Sequence, residues 1–254
     1  MKLVVCGKGG SGKSTLTSLL AQEYARKNNR VLVVDTDESN SGLHRLLGTD
    51  APQDLMGYFG GRQGMSEKIK AAAPDYTKVV LIDKPWNLDT IPEEYVTKKG
   101  NISLVSIGKI HHSGEGCACP MGMLSRQFLK SLELNSNDVV ITDTEAGIEH
   151  FGRGIDEEAD CILMMLDPSF ESIGLAEKVT TMTEGWKTPL YYVLNRVNPK
   201  VSTSIRKILS NPDKIIAEIP EEPDILDAGL SGTPILHGCS LVSDLVERLT
   251  HTHP

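Results

Sequence analysis

The chain has 254 residues and a formal net charge of −8 at pH 7, and 39% of its residues are hydrophobic. The acidic balance disfavours broad nucleic-acid binding, which needs a basic face to neutralise phosphates. No apolar run approaches the roughly 20 residues that span a bilayer, and an apolar strand directly after Met1 leaves no room for a signal peptide. We therefore expect a cytoplasmic protein that binds neither nucleic acid nor membrane.

A glycine-rich segment follows the apolar run Leu3–Cys6 and precedes a helix predicted from Lys13 to Asn28. Its glycines allow the backbone to fold around a phosphate, and the positive end of the helix faces the anion. The pattern predicts that Lys13 holds the β and γ phosphates and that Ser14 ligates Mg²⁺. The segment fits the template G-x-x-x-x-G-K-[ST], and its expected nucleotide contacts are Gly9, Gly10, Ser11, Gly12, Lys13, Ser14 and Thr15.

Lys8 adds a charge that a plain phosphate-binding loop does not need. The run from Lys8 to Ser14 resembles the deviant Walker A family, which includes septum-site and chromosome-partition ATPases, the nitrogenase iron protein and metal-insertion ATPases. The resemblance implies that Lys8 is a catalytic residue that reaches across a homodimer to the partner's nucleotide. ATP would then help to join two subunits.

The next apolar run, Arg30–Asp35, ends in an acid and is typical of a strand buried on both faces of a parallel sheet. Asp37 follows at the carboxyl end of this strand, where open α/β sheets bind ligands. The family resemblance implies that Asp37 is the switch I aspartate that positions the attacking water. A turn-forming aspartate is the alternative interpretation.

Residues 39–100 carry no chemistry that the sequence assigns. Within them, Met65–Ala73 predicts a short helix and Lys78–Asp83 predicts a strand. The residues from Lys84 to Gly100 predict an inserted surface loop.

A strand predicted at Asn101–Ile107 leads towards Cys117 and Cys119. Side chains two residues apart in an extended backbone point the same way, so both sulfurs can face one ion. Two thiolates do not complete the four-coordinate shell of Zn²⁺ or thiolate-bound Ni²⁺, but a second pair from a symmetry-related chain does. We therefore predict an inter-subunit metal site, with incidental thiols as the alternative, and expect His111 and His112 on the surface.

The strand predicted at Asp138–Asp143 also ends in an acid, and the residues after it resemble the family's switch II. This resemblance implies that Asp143 accepts a hydrogen bond from a Mg²⁺-bound water and that the amide of Gly147 senses the γ-phosphate. An ordinary turn at the end of a strand is the alternative.

Three further strands are predicted in the last hundred residues, at Ala159–Pro168, Pro189–Val197 and from Lys214. The second contains Asn195 and Arg196 near its end, and the family's asparagine at this place bonds the adenine edge. The Ile-Pro-Glu run of the third resembles the segment that closes over the base, which implies that Pro220 and Glu221 contact adenosine. Helices are predicted at 172–184 and near 241–249.

Strands alternate with helices from residue 2 to about residue 249. This alternation predicts one α/β domain over residues 1–254, with a doubly wound, mainly parallel sheet and helices on both faces. Together with the glycine-rich loop, it predicts a P-loop ATPase.

Two segments, Gly114–Pro120 and Asp143–Arg153, resemble the nickel-insertion ATPase of carbon monoxide dehydrogenase, the CooC type, including its acetyl-CoA synthase relatives. The resemblance implies ATP-driven homodimerisation and nickel held between two Cys-x-Cys loops. Hydrolysis of ATP to ADP and phosphate would accompany delivery of the metal to apo carbon monoxide dehydrogenase or acetyl-CoA synthase. Thiolates would also take zinc.

Two alternatives differ from metal delivery. One is an iron–sulfur carrier or reductase whose cluster bridges the dimer. The other is a spatial regulator related to septum-site or partition ATPases, which binds membrane or DNA through basic surfaces. The tail at 241–254 carries Asp244 and Glu247 against Arg248, a formal charge of −1, and this disfavours the regulator.

Overall fold

The computed structural model describes residues 1–73, 75, 79–112, 119–148, 150, 151, 154, 158–236 and 238–252, with the backbone alone for Cys119 and Cys239. Within these residues, eight strands form one sheet in the order β3-β4-β2-β5-β1-β6-β7-β8. Neighbouring strands are parallel apart from β3 and β4. The strands are β1 (Lys2–Gly7), β2 (Arg30–Asp35), β3 (Thr97–Lys99), β4 (Ile102–Ser106), β5 (Asp138–Asp143), β6 (Cys161–Leu166), β7 (Leu190–Asn195) and β8 (Ile215–Ile219).

Helices cover both faces of the sheet. They are α1 (Lys13–Arg26), α2 (Leu43–Leu47), α3 (Gly61–Ala71), α4 (Cys119–Ser131), α5 (Phe170–Met182), α6 (Pro199–Ile208), α7 (Pro223–Ser231) and α8 (Ser243–Thr252). The described residues contain no helix that is both long enough and apolar enough to cross a membrane.

The centre of the sheet is buried on both faces, and β1 shows how its residues divide between them. Leu3 and Val5 pack with residues of α1 and α8. Val4 packs with residues of α4, and Cys6 packs with residues of α5. A strand covered on both sides needs an apolar residue at every position, which is why these strands are continuous apolar runs in the sequence. The predicted α/β class with a mainly parallel sheet is confirmed.

The strand predicted at 78–83 is wrong, because residues 79–83 form no strand. Beside β4, the place at the edge of the sheet is taken by the unpredicted antiparallel strand β3. The side chain of Gln127 in α4 binds the displaced segment instead: the amide of Leu81 donates to its Oε1 at 2.8 Å, and its Nε2 donates to the carbonyl of Val79 at 2.7 Å. Val79 and Leu81 are buried. Val80 between them is 65% exposed, so the segment is only partly buried, and its backbone pairs with a side chain instead of a neighbouring strand.

Two helices that the sequence analysis did not predict begin at prolines, α6 at Pro199 and α7 at Pro223. Proline suits the first position of a helix, where no amide hydrogen is needed. Before α6, the side chain of Asn198 also caps the helix by accepting from the amide of Val201 at 3.0 Å. The Asn-Pro pair was a usable signal for this helix.

The fold brings the carboxyl ends of the parallel strands to one edge. Gly7, Asp35, Asp143 and Asn195 end β1, β2, β5 and β7. Residues far apart in the chain therefore meet at the edge where open α/β sheets bind ligands.

Candidate nucleotide-binding site

The glycine-rich loop between β1 and α1 has a backbone that only glycine adopts easily. Gly7, Gly10 and Gly12 have φ values of 143°, 76° and 102°. A Cβ atom at Gly7 would lie 2.6 Å from the carbonyl oxygen of Met165, and one at Gly12 would lie 2.3 Å from Nδ2 of Asn195. The glycines therefore give the loop its shape and allow β6 and β7 to approach it.

The helix α1 starts directly behind this loop, with Gly12 at its N-cap and Lys13 as its first residue. The side chain of Lys13 is buried and points back over the loop, where Nζ donates to the carbonyl of Lys8 at 3.4 Å. Gly9, Gly10, Ser11, Ser14 and Thr15 complete the predicted phosphate-binding set around the same turn.

Ser14 lies beside Asp143. Its hydroxyl donates to Oδ2 of Asp143 at 2.7 Å, and Thr17 donates to Oδ1 at 3.3 Å. Burial raises the pKa of Asp143 to about 6, although the hydrogen bond from Ser14 and the charge of Lys13 both lower it. A serine hydroxyl and a carboxylate side by side are hard oxygen ligands that fit Mg²⁺.

Asp37 and Asn40 shape the turn that follows β2. Oδ1 of Asp37 accepts hydrogen bonds from the amide and hydroxyl of Ser39, at 2.9 and 2.7 Å, and from the amide of Asn40 at 3.1 Å. The carboxylate therefore does what the turn-forming alternative describes, while its role with water stays a prediction. Nδ2 of Asn40 donates to Oγ of Ser14 at 3.0 Å, which places this turn against the phosphate-binding loop.

Gly147 lies against the first glycine of the loop. Its amide donates to the carbonyl of Gly7 at 3.2 Å, and its φ is 97°. Sensing of the γ-phosphate by this amide stays a prediction, because in this structure the amide hydrogen is directed at the chain's own loop.

Lys8 contacts its own chain. Its Nζ donates to Oγ of Ser169 at 3.0 Å and lies 3.4 Å from Oδ2 of Asp167. Burial alone would raise the pKa of Asp167, but the hydrogen bond from Ser169 and the charge of Lys8 outweigh it and lower this pKa. Contact between Lys8 and a partner subunit stays a prediction, and it would require these bonds to break.

A pocket of about 240 Å³ opens beside the loop, and it unites predicted base contacts from three parts of the chain. Five of its lining residues were predicted as nucleotide contacts: Thr15, Asn195, Arg196, Pro220 and Glu221. Nδ2 of Asn195 donates to the carbonyl of Ser11 at 2.8 Å, which fixes β7 against the loop.

Helix α7, which no sequence pattern predicted, supplies an apolar wall of this pocket. Its apolar lining residues are Ile225, Leu226, Gly229 and Leu230, with Ile219 at the end of β8 beside them, and the polar Glu222 also lines the pocket. Aliphatic side chains beside polar ones suit a flat heterocycle with polar edges.

Lys109 is a second omission. It follows β4 at the ligand-binding edge, its side chain is only 11% exposed, and Nζ lies 2.7 Å from Oδ2 of Asp35. Burial raises the pKa of Asp35 to about 7, while the charge of Lys109 opposes this rise. Its position three residues beyond the end of a buried parallel strand could have marked Lys109 as a candidate site residue, because open α/β sheets bind ligands at that edge.

The predicted metal ligands are Cys117 and Cys119. Cys117 lies outside the described residues, and Cys119 begins α4 with its backbone alone described. Across the described part of the chain, no group of three or more His, Cys, Asp or Glu residues could hold a metal ion. His111 and His112 are exposed as expected.

The glycine loop, the acids at the strand ends and the adjacent pocket define a P-loop nucleotide-binding protein of the α/β class. Residues 2–235 match the CobQ/CobB/MinD/ParA nucleotide binding domain. The chain belongs to this family, and it is an ATPase of the MinD/ParA type.

Similar proteins cover the chain almost from end to end. An uncharacterized ATP-binding protein of Methanocaldococcus jannaschii is 47% identical over 250 residues, which are 98% of this chain and 100% of the relative. The carbon monoxide dehydrogenase accessory protein CooC of Rhodospirillum rubrum is 30% identical over 265 residues, with 99% and 98% covered.

Solved structures of two septum-site ATPases share the fold. The cell division ATPase MinD of Pyrococcus furiosus has a TM-score of 0.68 at 18% identity, covering 99% of each chain. MinD of Pyrococcus horikoshii, complexed with Mg-ADP, has a TM-score of 0.67 at 18% identity and covers 98% of this chain and 95% of that one. At this identity the likeness establishes the fold alone.

Proposed function

We propose that this ATPase is a metallochaperone that dimerises with ATP, binds nickel between two Cys-x-Cys loops and delivers it to apo carbon monoxide dehydrogenase or acetyl-CoA synthase. The observation that carries the proposal is the 30% identity to CooC along 99% of the chain. The Cys117-Ala118-Cys119 motif supplies thiolates suited to Ni²⁺ or Zn²⁺.

The phosphate side of the site has two parts in this proposal. Lys13 and the loop amides bind the β and γ phosphates, and Ser14 ligates Mg²⁺ beside Asp143. The Mg²⁺ assignment is supported by the 2.7 Å between Oγ of Ser14 and Oδ2 of Asp143. The bound ion would neutralise charge on the phosphate oxygens.

Hydrolysis forms a bond from water oxygen to the γ-phosphorus and breaks the bond from that phosphorus to the β–γ bridging oxygen. Asp37 orients the water and the amide of Gly147 turns towards the γ-phosphate. This requires the hydrogen bond from Gly147 to Gly7 to open when ATP binds.

The base lies in the pocket beside Asn195, Arg196, Pro220 and Glu221. The amide of Asn195 reads the adenine edge, and the aliphatic residues of α7 cover its face. Buried polar groups that match the base give selectivity because a wrong base leaves them unpaired.

The homodimer completes the metal site. Each chain supplies Cys117 and Cys119, and four sulfurs make the tetrahedral shell that one pair leaves incomplete. Lys8 leaves Asp167 and Ser169 and reaches the partner's nucleotide. Assembly and metal binding are thereby coupled to ATP.

The test is anaerobic titration with Ni²⁺ and with Zn²⁺, in the presence and absence of a non-hydrolysable ATP analogue, following thiolate charge-transfer absorption and mass together. The wild-type protein should bind one metal ion per two chains and become a dimer. The double variant Cys117→Ala, Cys119→Ala should lose tight metal binding and keep nucleotide binding. Cys161→Ala removes a buried thiol whose pKa burial raises to about 12, and it is the matched control.

Unchanged metal stoichiometry in the double variant, or a monomer under every condition, would contradict the proposal. An iron–sulfur absorption spectrum in the protein as isolated would instead favour a cluster carrier. Zinc bound as tightly as nickel would support the metal site but contradict nickel as the metal that is delivered.

A further inference from the structure

The ammonium group of Lys109, three residues beyond β4, makes three hydrogen bonds to oxygens of its own chain. It donates to Oδ2 of Asp35 at 2.7 Å, to the carbonyl of Asp37 at 2.5 Å and to the carbonyl of Asn40. Three donors thus reach one oxygen at the end of β2 and two in the turn after it, which is the full capacity of an ammonium group. The turn is the one that presents Asp37 and Asn40 to the phosphate-binding loop.

The backbone of Lys109 is anchored as firmly as its side chain. Its amide donates to Oδ2 of Asp54 at 3.0 Å, and Ser106 donates to the other carboxylate oxygen at 2.9 Å. The amide of Ile110 donates to the carbonyl of Glu38 at 3.0 Å, so the two segments are also joined by their main chains. Because both its backbone and its ammonium group are already held, Lys109 loses little further conformational entropy when ATP is hydrolysed.

The side chain of Asn40 connects the turn held by Lys109 to the phosphate-binding loop. Asn40 accepts from Lys109 through its carbonyl and donates through Nδ2 to Oγ of Ser14 at 3.0 Å. Ser14 in turn donates to Asp143. This chain of contacts connects the lysine to the proposed Mg²⁺ ligand without any direct contact between them.

We propose that Lys109 is a positioning residue for ATP hydrolysis, holding the turn of residues 35–40 so that Asp37 and Asn40 face the phosphate-binding loop. Its ammonium does not touch the nucleotide contacts predicted in the base pocket. Its loss therefore slows the chemical step and leaves nucleotide affinity largely intact. The inference depends on the ATPase activity of the family and not on nickel.

The first test compares Lys109→Met with wild-type protein and with Lys98→Met, which removes an exposed lysine from β3. In Lys109→Met, kcat for Mg-ATP hydrolysis should fall by about tenfold or more, as small displacements of reacting groups do. KM and the Kd for ATP should stay within about threefold of wild type. Lys98→Met should match wild type in all three values.

A second variant separates positioning from simple charge balance. Asp35→Asn removes the buried carboxylate, and the double variant Asp35→Asn, Lys109→Met removes both charges. Lys109→Met alone leaves a buried carboxylate without its counter-ion and could fold poorly for that reason, whereas the double variant leaves no such charge. Because Lys109 also holds the carbonyls of Asp37 and Asn40, the double variant should be about tenfold slower than Asp35→Asn alone.

Two results would overturn the inference. One is equal kcat in the double variant and in Asp35→Asn, which would make the lysine a counter-ion only. The other is a Lys109→Met protein that keeps its kcat and loses affinity for ATP, which would make the lysine a binding residue.

Discussion

At the scale of single residues, the site is defined by carboxylates that the fold has removed from water. Burial raises the pKa of Asp35 to about 7 and that of Asp143 to about 6, from an ordinary value of 3.8. Neither Lys109 nor the Ser14 and Lys13 pair fully offsets this desolvation. The nucleotide-free protein therefore holds unfavourable negative charge where a cation would relieve it.

Replacing Asp143 by asparagine (Asp143→Asn) should change how the stability of the nucleotide-free protein depends on pH. The folded pKa of Asp143 lies above its unfolded value, so its ionisation costs stability as pH rises between these two values. Relative to wild type, the variant's free energy of unfolding should increase by about 2 kcal/mol between about pH 4.5 and about pH 7.5. Urea unfolding at both pH values measures this difference.

The comparison with the variant isolates Asp143 from other titrating groups. Adding Mg²⁺ with ADP should reduce the difference, because a bound cation favours the charged carboxylate. A stability difference independent of pH would show that Asp143 titrates at its ordinary pKa.

At the scale of elements, α7 forms one wall of the pocket proposed for the base while packing little of its own length into the core. Leu226 and Leu230 are 49% and 78% exposed, although Ala228 on the same helix is buried. Exposed leucines that line this pocket offer apolar surface that the proposed base would cover on binding.

Leu230→Gln tests this helix. The Kd for ATP should rise about fivefold, because about 1 kcal/mol of apolar contact with the base is lost. The melting temperature should hardly change, since an exposed side chain contributes little to folding. Isothermal titration calorimetry and thermal unfolding measure the two effects.

The matched control is Leu236→Gln, since Leu236 is similarly exposed at 71% and does not line the base pocket. Its Kd should equal that of wild type. Equal affinities for all three proteins would remove α7 from base binding.

At the scale of the whole molecule, the proposed assembly competes with a contact inside each chain. Lys8 is held by Asp167 and Ser169, and its side chain is 34% exposed. In the proposed dimer, Lys8 would first have to give up these bonds, and their loss would oppose dimerisation of the isolated chain.

Asp167→Ala should therefore favour the dimer. The dimer dissociation constant with a non-hydrolysable ATP analogue should fall about two- to fivefold, the modest size typical of a partly exposed ion pair. Analytical ultracentrifugation measures it, and adding Lys8→Ala to the variant should abolish the gain. A weaker dimer in Asp167→Ala would mean that Asp167 itself serves the interface.

The sequence determined what depends on neighbours along the chain. The loop from Gly7 to Thr15 and the acids Asp35 and Asp143 were readable because a phosphate-binding turn and a buried strand are local patterns with fixed spacing. Those patterns also predicted the parallel α/β sheet, since strands covered on both faces must be apolar throughout.

Only the tertiary structure decided which segments became neighbours across the sheet. β3 occupies the edge beside β4, so the apolar run at 79–83 binds Gln127 instead of a strand. Lys109 meets Asp35, 74 residues away, and α7 completes the pocket proposed for the base. No local pattern encodes these contacts, because each depends on competition among distant partners for the same backbone groups, buried charges and apolar surface.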